Sequence, residues 1–520
     1  MPKNTGCRIG TRDADGSTAG SRRRQYRTQE APTTVQTLGS LLGGHARILS
    51  AHGADQRITG VTADSRKAKP GFLFVAVPGT HEDGGRYILD AIRRGAIAIV
   101  MEPTAGLIET PRGVTFAFSL DVRRSLALAA ARFYPRQPAV IAAVTGTAGK
   151  TSVAYFLRQI WAHLGHQAAY LGTIGLITPD GATYGSLTTP DPVELHATLD
   201  RLAGAGITHM ALEASSHGLD QRRLDGVRLA AGAFTNLGRD HLDYHPTVEA
   251  YFKAKLRLFT ELLPPDATAV GVLDAPYAAT ALAWAETRGL KTVSFGDDFS
   301  CATIEVLDVT PAGAGQLIRF GGGLEIALPL AGRFQADNAL VAAGLAIACG
   351  AGRAEALGAL AHLKGVPGRL ERIGDDPVRP VFVDYAHKPE ALAAVLDTLR
   401  GAVTGRLMVV FGCGGDRDRG KRPIMGAIAS QKADLVIITD DNPRSEAPAD
   451  IRAEILAAAP GAREIGDRRA AIRAAVALME PGDALVVAGK GHETGQIIGD
   501  RTDPFSDAAE VLAALAEVRA

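Results

Sequence analysis

The stretch AAVTGTAGKTSVAYFL at residues 142–157 constrains the fold more than any other part of the chain. Val140 to Val144 is a short apolar run with valine at both ends, which suits a buried strand. Beyond Lys150 the apolar residues fall at Val153, Phe156, Leu157, Ile160, Trp161 and Leu164. That is the spacing of a helix with one buried face, and Gly165 is a natural stop. Between strand and helix lies a glycine-bearing loop. Such a unit belongs to an α/β sheet and presents unpaired backbone N–H groups and a positive dipole end to a phosphate. The common spelling G-x-x-x-x-G-K-[ST] would place the first glycine at 144. Val144 stands there and the glycine is Gly146, so the loop is a shorter form. Lys150 can reach terminal phosphates, and Thr151 can offer a hydroxyl to Mg²⁺. The plain alternative is a tight turn with an incidental lysine, but Gly149-Lys150-Thr151 sits where phosphate chemistry needs it.

A length of 520 residues predicts about three domains at roughly 150 residues each. Lys+Arg and Asp+Glu balance at 56 each, which argues against a nucleic-acid or membrane surface as the main partner. Cys7, Cys301, Cys349 and Cys413 lie far apart with no CxxC, the usage of a reducing compartment without structural disulfides or zinc. No apolar stretch approaches the roughly 18 residues that would span a membrane. Residues 1–34 are rich in Arg, Gly, Ser and Thr and nearly free of apolar residues. They read as a disordered extension, or as a start codon placed upstream of the true one.

Three blocks follow. Residues 35–137 read as a small α/β unit, with "GFLFVAVPGT" as a strand and "YILDAIRRGAIAIVME" as a helix and a strand. Residues 138–366 read as a longer βα series. Its strands end in polar residues: Val144 before the loop, Leu212 before Glu213, and Phe234 before Thr235-Asn236. Ligands of open parallel sheets collect outside the carboxyl ends of strands, so Lys150, Glu213 and Asn236 are expected on one rim. Residues 367–520 repeat the logic, with Asp384, a Gly-rich turn after "LMVVF", Asp440-Asp441, and Gly489 to Glu493 at strand ends. Gly412-Cys413-Gly414 begins like G-x-G-x-x-G, but Arg417 stands where the third glycine should be, so a dinucleotide site is poorly supported.

Taken together, "TGTAGKTS", "ALEASSHGLDQRR", "TNLGRDHLDYH", "GVPGRLERI", "VDYAHKPEAL" and "FGCGGDRDRGKRP" resemble, in order and rough spacing, the Mur ligases. These are the ATP-dependent amide-bond ligases of peptidoglycan precursor synthesis. The resemblance covers about residues 58–510 and implies a three-domain α/β architecture. A P-loop ATPase-type central parallel sheet would bind ATP. A first domain would bind the UDP end of the substrate, and a Rossmann-like C-terminal domain would bind the amino acid. Within the family, "DDNPRSE" at 440–446 is similar to the signature of the branch that adds meso-2,6-diaminopimelate to UDP-N-acetylmuramoyl-L-alanyl-D-glutamate. Diaminopimelate carries a distal carboxylate that lysine lacks, and arginine holds carboxylates bidentately.

Carried residue by residue, the resemblance implies that Gly146, Thr147, Gly149, Lys150, Thr151 and Ser152 cradle the phosphates of ATP. Asn236, Asn338 and Arg369 would add nucleotide contacts, with Asp384, Tyr385 and His387 closing over ATP. Thr151 and Glu213 would serve Mg²⁺, with His241 beside the metal. Lys255 matches a lysine that the family carries as a carbamate, which would join the metal set by helping to hold a second Mg²⁺ region, with Lys253 as the competing choice. Ser65, with "THEDG" nearby, and Thr188, Thr189, Ser215, Gln221 and Arg223 would hold the UDP-sugar dipeptide. Arg417, Asp441, Asn442, Pro443, Arg444, Gly489 and Glu493 would form the diaminopimelate pocket. Lys150, Lys255 and His241 would be the catalytic set. One departure is Ala148, where the family usually has Asn, so a side-chain contact is missing there while the backbone cradle stands. The rival readings are a folyl-polyglutamate synthase or another Mur enzyme, a nucleotide-binding switch, and an inactive paralogue. The resemblance further implies small-molecule substrates only, no nucleic acid, no membrane insertion, a cytoplasmic location and a monomer.

Overall fold

The computed structural model describes residues 36–519, except 51, 80–82, 104–110, 184–186, 239, 242–243, 297–301, 313–314 and 402. The expected extension at 1–34 and the Thr80-His81-Glu82 part of "THEDG" lie outside the described residues.

Alternation of strand and helix along the chain yields three main sheets, each with its own buried core. The first is 5-stranded. Gly60–Thr62, Phe72–Val75, Ala96–Met101 and Thr115–Phe118 run parallel, and Arg47–Ile48 is antiparallel at the edge.

The central sheet is 11-stranded. Its interior follows the expected parallel pattern: Ala168–Gly172, His209–Glu213, Val140–Thr145, Ala231–Phe234, Thr268–Val272 and Lys291–Gly296 lie side by side. The helix Lys150–His163 buries Val153, Phe156, Leu157, Ile160 and Trp161. They share a core with Ala339, Leu340 and Ala343 of the helix Arg333–Ala348. Gly165, at φ 87°, stops the helix as its spacing predicts. The pure βα expectation fails at the edges. One edge carries the hairpin Gly175–Thr178 and Gly181–Thr183, and the other the antiparallel strands Ile304–Ala312, Gly315–Phe320 and Glu325–Leu328. Of these, Gly315–Phe320 and Glu325–Leu328 bury alternate residues only, such as Gln316, Ile318 and Phe320. That is the period-2 pattern of a one-faced antiparallel sheet.

The third sheet is 6-stranded. Val381–Asp384, Ala484–Ala488, Leu407–Phe411, Leu435–Ile438 and Arg463–Glu464 are parallel neighbours in that order. Glu371–Ile373 is antiparallel beside the first. The last long strand therefore inserts between the first two, and the strand ends expected to carry polar clusters are adjacent. Among the described residues no helix is long and apolar enough to cross a membrane.

Candidate active site

In the central sheet, register places Glu213 opposite Val144 and Phe234 opposite Thr145. The loop after Thr145, the carboxylate of Glu213 and the segment Thr235-Asn236 therefore leave the sheet side by side. The loop needs glycine at two points. Gly146 has φ 143°, and a Cβ there would lie 1.9 Å from Thr235 Oγ1. Gly149 has φ 84°, and its Cβ would lie 2.3 Å from Asn338 Oδ1. The loop is braced from outside: Ala148 N donates to Asn236 Oδ1 at 3.0 Å, and Thr235 Oγ1 donates to Ala148 O at 2.6 Å. Ala148 is thus held by its backbone, and the missing side chain does not loosen the loop. Helix Lys150–His163 has no side-chain cap, so its first N–H groups face the loop.

Lys150 Nζ donates to Gly146 O at 3.0 Å and Thr147 O at 2.9 Å. Burial lowers its pKa below the usual lysine value, against the opposing pull of Glu213 and Asp240. Thr151 Oγ1 donates to Glu213 Oε2 at 3.1 Å, as does Thr173 Oγ1 at 3.0 Å. Glu213 Oε1 accepts from Thr173 N at 2.9 Å and from the Tyr170 hydroxyl. Burial and this carboxylate push the Tyr170 phenol well above its ordinary pKa. Among the described residues no group of three or more His, Cys, Asp and Glu could hold a metal by itself. A hard cation at Thr151 and Glu213 would need phosphate oxygens and water to complete its shell, the usual habit of Mg²⁺.

The structure separates the two candidate lysines. Lys253 is exposed on helix Val248–Arg257. Lys255 is 1% exposed. Its Nζ donates to Gly146 O at 2.6 Å and lies 4.3 Å from the centre of the Tyr251 ring. Burial, and then the Lys150 ammonium, hold its pKa well below the usual value. His241 adopts φ 52°, and its ring is 4.9 Å from that of His217. Burial pushes its pKa down to about 4.

Thr189 Oγ1 donates to Glu213 O at 2.9 Å and meets Ser215 Oγ at 3.1 Å. Thr188 Oγ1 meets Thr173 Oγ1 at 3.0 Å. Arg223 donates to Thr189 O at 2.6 Å and to Gln221 Oε1 at 2.7 Å. These residues form one wall beside Glu213. Ser65 stands apart in the first sheet's domain, buried and bonded to the Asp90 carboxylate.

The third sheet faces this rim. Lys388 forms an ion pair with Asp240. Burial raises the Asp240 carboxyl, and the Lys388 ammonium more than offsets it, leaving the pKa below the ordinary value. Arg369 lies 4.5 Å from the Tyr385 ring, with its Nε buried and without a partner. The Asp384 carboxylate is spent on backbone, accepting from Leu370 N at 2.6 Å and Ala386 N at 2.7 Å. It therefore ties the connecting segment to the third sheet.

On that sheet Arg444 takes φ 51°, and its Nη1 donates to Gly415 O at 2.8 Å. Arg417 is exposed on the neighbouring loop. Asn442 accepts from Lys490 Nζ at 2.9 Å and donates to Glu493 Oε2 at 2.9 Å. Lys490 Nζ also lies 3.1 Å from Glu493 Oε2. Gly489 has φ 117°, and a Cβ there would lie 2.7 Å from Asp441 Oδ2. Pro443 O packs against Gly415. Residues 441–444 follow Leu435–Ile438, and 489 and 493 follow Ala484–Ala488, the strands on either side of Leu407–Phe411.

Matches to family models run along the whole fold: "Mur ligase family, catalytic domain" at residues 57–134, "Mur ligase middle domain" at 144–346 and "Mur ligase, glutamate ligase domain" at 368–491. A protein of Bradyrhizobium diazoefficiens is 56% identical over 92% of this chain and 99% of its own length. One of Brucella melitensis is 57% identical over 88% and 94%. The chain belongs to the Mur ligase family. Both relatives carry the name UDP-N-acetylmuramoyl-L-alanyl-D-glutamate–2,6-diaminopimelate ligase. A solved structure of that name is 34% identical, covers 91% of this chain and 97% of its own, and superposes with a TM-score of 0.69.

Seen as a Mur ligase, the chain has a site with parts that sequence reasoning missed. Tyr170 and Thr173 grip Glu213, Lys388 pairs with Asp240, and Lys490 fixes Asn442 and Glu493. Tyr170 carried a usable signal. It sits in "AAYLG", a fully buried strand, where a tyrosine hydroxyl needs a partner.

Proposed function

We propose that this Mur ligase joins meso-2,6-diaminopimelate to the D-glutamate of UDP-N-acetylmuramoyl-L-alanyl-D-glutamate, using ATP. The domains are 35–137 for the UDP end, 138–366 for ATP and 367–520 for the amino acid. The loop N–H groups from Gly146 to Ser152 receive the ATP phosphates, and Lys150 turns from the loop carbonyls to the terminal ones. Asn236 and Asn338 hold the loop to shape, and Arg369 flanks the nucleotide. Thr151 and Glu213 hold Mg²⁺, which supplies neutralisation of phosphate charge. Lys255 is buried and depressed in pKa, so its amine is available to CO₂. The nitrogen lone pair bonds to carbon, one C–O π bond opens to carboxylate, and the amine loses a proton. The resulting carbamate turns a cation into an anion beside Gly146, and His241 borders it.

The D-glutamate side-chain carboxylate, placed by Thr188, Thr189, Ser215, Gln221 and Arg223, attacks the terminal phosphorus, and ADP leaves. Ser65 anchors the far end. The diaminopimelate amine attacks the acyl phosphate carbon, the nitrogen gives up a proton to water, and the C–O bond to phosphate breaks as phosphate leaves the tetrahedral intermediate. Most of the rate comes from positioning and from preorganised charge. Arg417 and Arg444 take the distal carboxylate, Glu493 and the Gly489 carbonyl take the distal ammonium, and Asp441, Asn442 and Pro443 shape the pocket. The reaction needs only small molecules and one copy of the chain, and it belongs in the cytoplasm.

One observation carries the choice of amino acid. Arg444 is held left-handed with its guanidinium on Gly415 O, beside the loop that bears Arg417, in a chain whose relatives are named for diaminopimelate. The test is amino-acid-dependent phosphate release with the UDP dipeptide, in wild type and Arg444→Ala. Release with diaminopimelate and not with L-lysine, lost in the variant, is expected. Release with lysine alone would overturn the pocket, and release with neither would overturn the ligase reading.

A further inference from the structure

The loops 412–420 and 440–446 meet almost backbone to backbone. Gly415 N donates to Asn442 O at 2.9 Å, and a Cβ on Gly415 would lie 1.9 Å from Pro443 O. Each loop holds one non-glycine residue left-handed, Asp416 at φ 53° and Arg444 at φ 51°. Such backbones persist only where their surroundings fix them. Arg444 is fixed by Ile497 O, which accepts its N–H at 3.1 Å, and by Gly499 N, which donates to its carbonyl at 2.8 Å. Asp416 is fixed by the other loop. Its N–H donates to Glu446 Oε1 at 2.6 Å, and its carboxylate accepts from Ser445 Oγ at 2.6 Å and Ser445 N at 3.2 Å.

Behind this clasp lies Arg422, on helix Lys421–Lys432, with 0% of its side chain exposed. Its Nη1 donates to Glu446 Oε2 at 3.0 Å and Glu454 Oε2 at 2.9 Å. Its Nη2 donates to Glu446 Oε1 at 2.9 Å and Gly414 O at 3.3 Å. Its Nε is buried without a partner. The fork of Arg422 and the N–H of Asp416 hold the Glu446 carboxyl down to about 2. A buried ion pair is weak evidence for stability, because desolvation offsets much of the attraction. Its effect here is geometric. One carboxylate, Glu446, is bonded at once to a buried fork and to the strained backbone of the opposite loop. A Cβ on Gly414, whose carbonyl the same fork touches, would lie 2.8 Å from Arg444 Nη1.

We propose that Arg422 and Glu446 are positioning residues for amino-acid selection: their two-pronged pair locks the loop bearing Arg417 to the loop bearing Arg444, and so sets the guanidinium spacing that reads a second carboxylate. The inference rests on the reading that the incoming amino acid is diaminopimelate. Neither residue touches that substrate; both act through Gly414, Asp416 and Arg444.

The test measures KM and kcat for meso-diaminopimelate, L-lysine, ATP and the UDP dipeptide, with thermal unfolding, in wild type, Glu446→Gln, Arg422→Lys and Ser445→Ala. Glu446→Gln is nearly isosteric and weakens charge-assisted bonds, so KM for diaminopimelate rises about 10-fold. Preference over lysine falls by a similar factor, while KM for ATP and for the UDP dipeptide stays constant. Arg422→Lys keeps charge but loses the fork and shifts the same way; Ser445→Ala shifts less. Should Arg422→Lys fail to fold, the Glu446 and Ser445 variants decide. A Glu446→Gln enzyme with unaltered preference, or with KM raised alike for all substrates, would overturn the inference while leaving the reading standing. A wild-type enzyme that prefers lysine would overturn both.

Discussion

Tyr170→Phe isolates the grip on Glu213. Tyr170 is wholly buried, and its hydroxyl donates to Glu213 Oε1. Phenylalanine keeps the ring and its edge contact to Tyr155, whose centre is 6.0 Å away, so no cavity opens. What is lost is the hydrogen bond to a buried carboxylate, together with a long one, 3.4 Å, that the hydroxyl accepts from Ile174 N. Such bonds contribute about 1.5–3 kcal/mol. The carboxylate keeps Thr173 N at 2.9 Å, Thr173 Oγ1 at 3.0 Å and Thr151 Oγ1 at 3.1 Å, so the loss stays near the middle of that range, about 2 kcal/mol. In a domain of this size 1 kcal/mol moves Tm by about 2–4 °C. The central transition should therefore fall by about 4–8 °C. The hydroxyl grips Oε1, opposite the oxygen that Thr151 meets, so its loss also frees the carboxylate to turn. In the proposed role of Glu213 as a Mg²⁺ ligand, removing such an outer partner should cost about 10-fold or more in metal affinity. Calorimetric unfolding and a Mg²⁺ titration of activity are the assays. An unchanged Tm together with an unchanged Mg²⁺ midpoint would refute the reasoning.

Other perturbations follow from the same geometry. Gly146→Ala forces a Cβ to 1.9 Å from Thr235 Oγ1 at φ 143°; about 2 kcal/mol of strain should weaken ADP binding about 30-fold by titration calorimetry. Arg468 and Asp507 are both fully buried and paired at 2.7 Å. Arg468→Met strands the carboxylate and should cost about 3–5 kcal/mol in denaturant unfolding, with much of it recovered by adding Asp507→Leu. Burial raises the Asp384 carboxyl to about 6, well above the usual aspartate value, against the pull of Arg369 and two backbone N–H groups. The folded state thus binds the proton more tightly, so stability is highest below the unfolded value and falls as pH rises toward 6. The loss should reach about 3 kcal/mol, and the difference between wild type and Asp384→Asn in unfolding from pH 3.5 to 7 should carry that slope.

The loop, its strand and its helix were legible because local rules agree there: an apolar run, two glycines at positive φ, and a one-faced helix. Glu213, Asn236 and the strand ends of the third sheet were legible because polar residues closing apolar runs mark a rim. The antiparallel edges were hidden because their strands are half-exposed and their alternation is short, as in Gly315–Phe320 and Glu325–Leu328 on either side of the Gly321-Gly322-Gly323 turn. Lys255 and Lys253 could not be told apart by composition. The turn of helix Val248–Arg257 decides which one is buried. Pairings such as Lys388 with Asp240 and Arg422 with Glu446 join residues far apart in sequence. They depend on how loops from different strands dock, and no local pattern encodes that.

The most direct test of the account offers the enzyme ATP, the UDP dipeptide, and meso-diaminopimelate with L-lysine in equal amounts, and reads the product by mass. The account predicts a UDP-tripeptide bearing diaminopimelate, with the new amide on the D-glutamate side-chain carboxyl. A product bearing lysine, or no ligation at all, would contradict it.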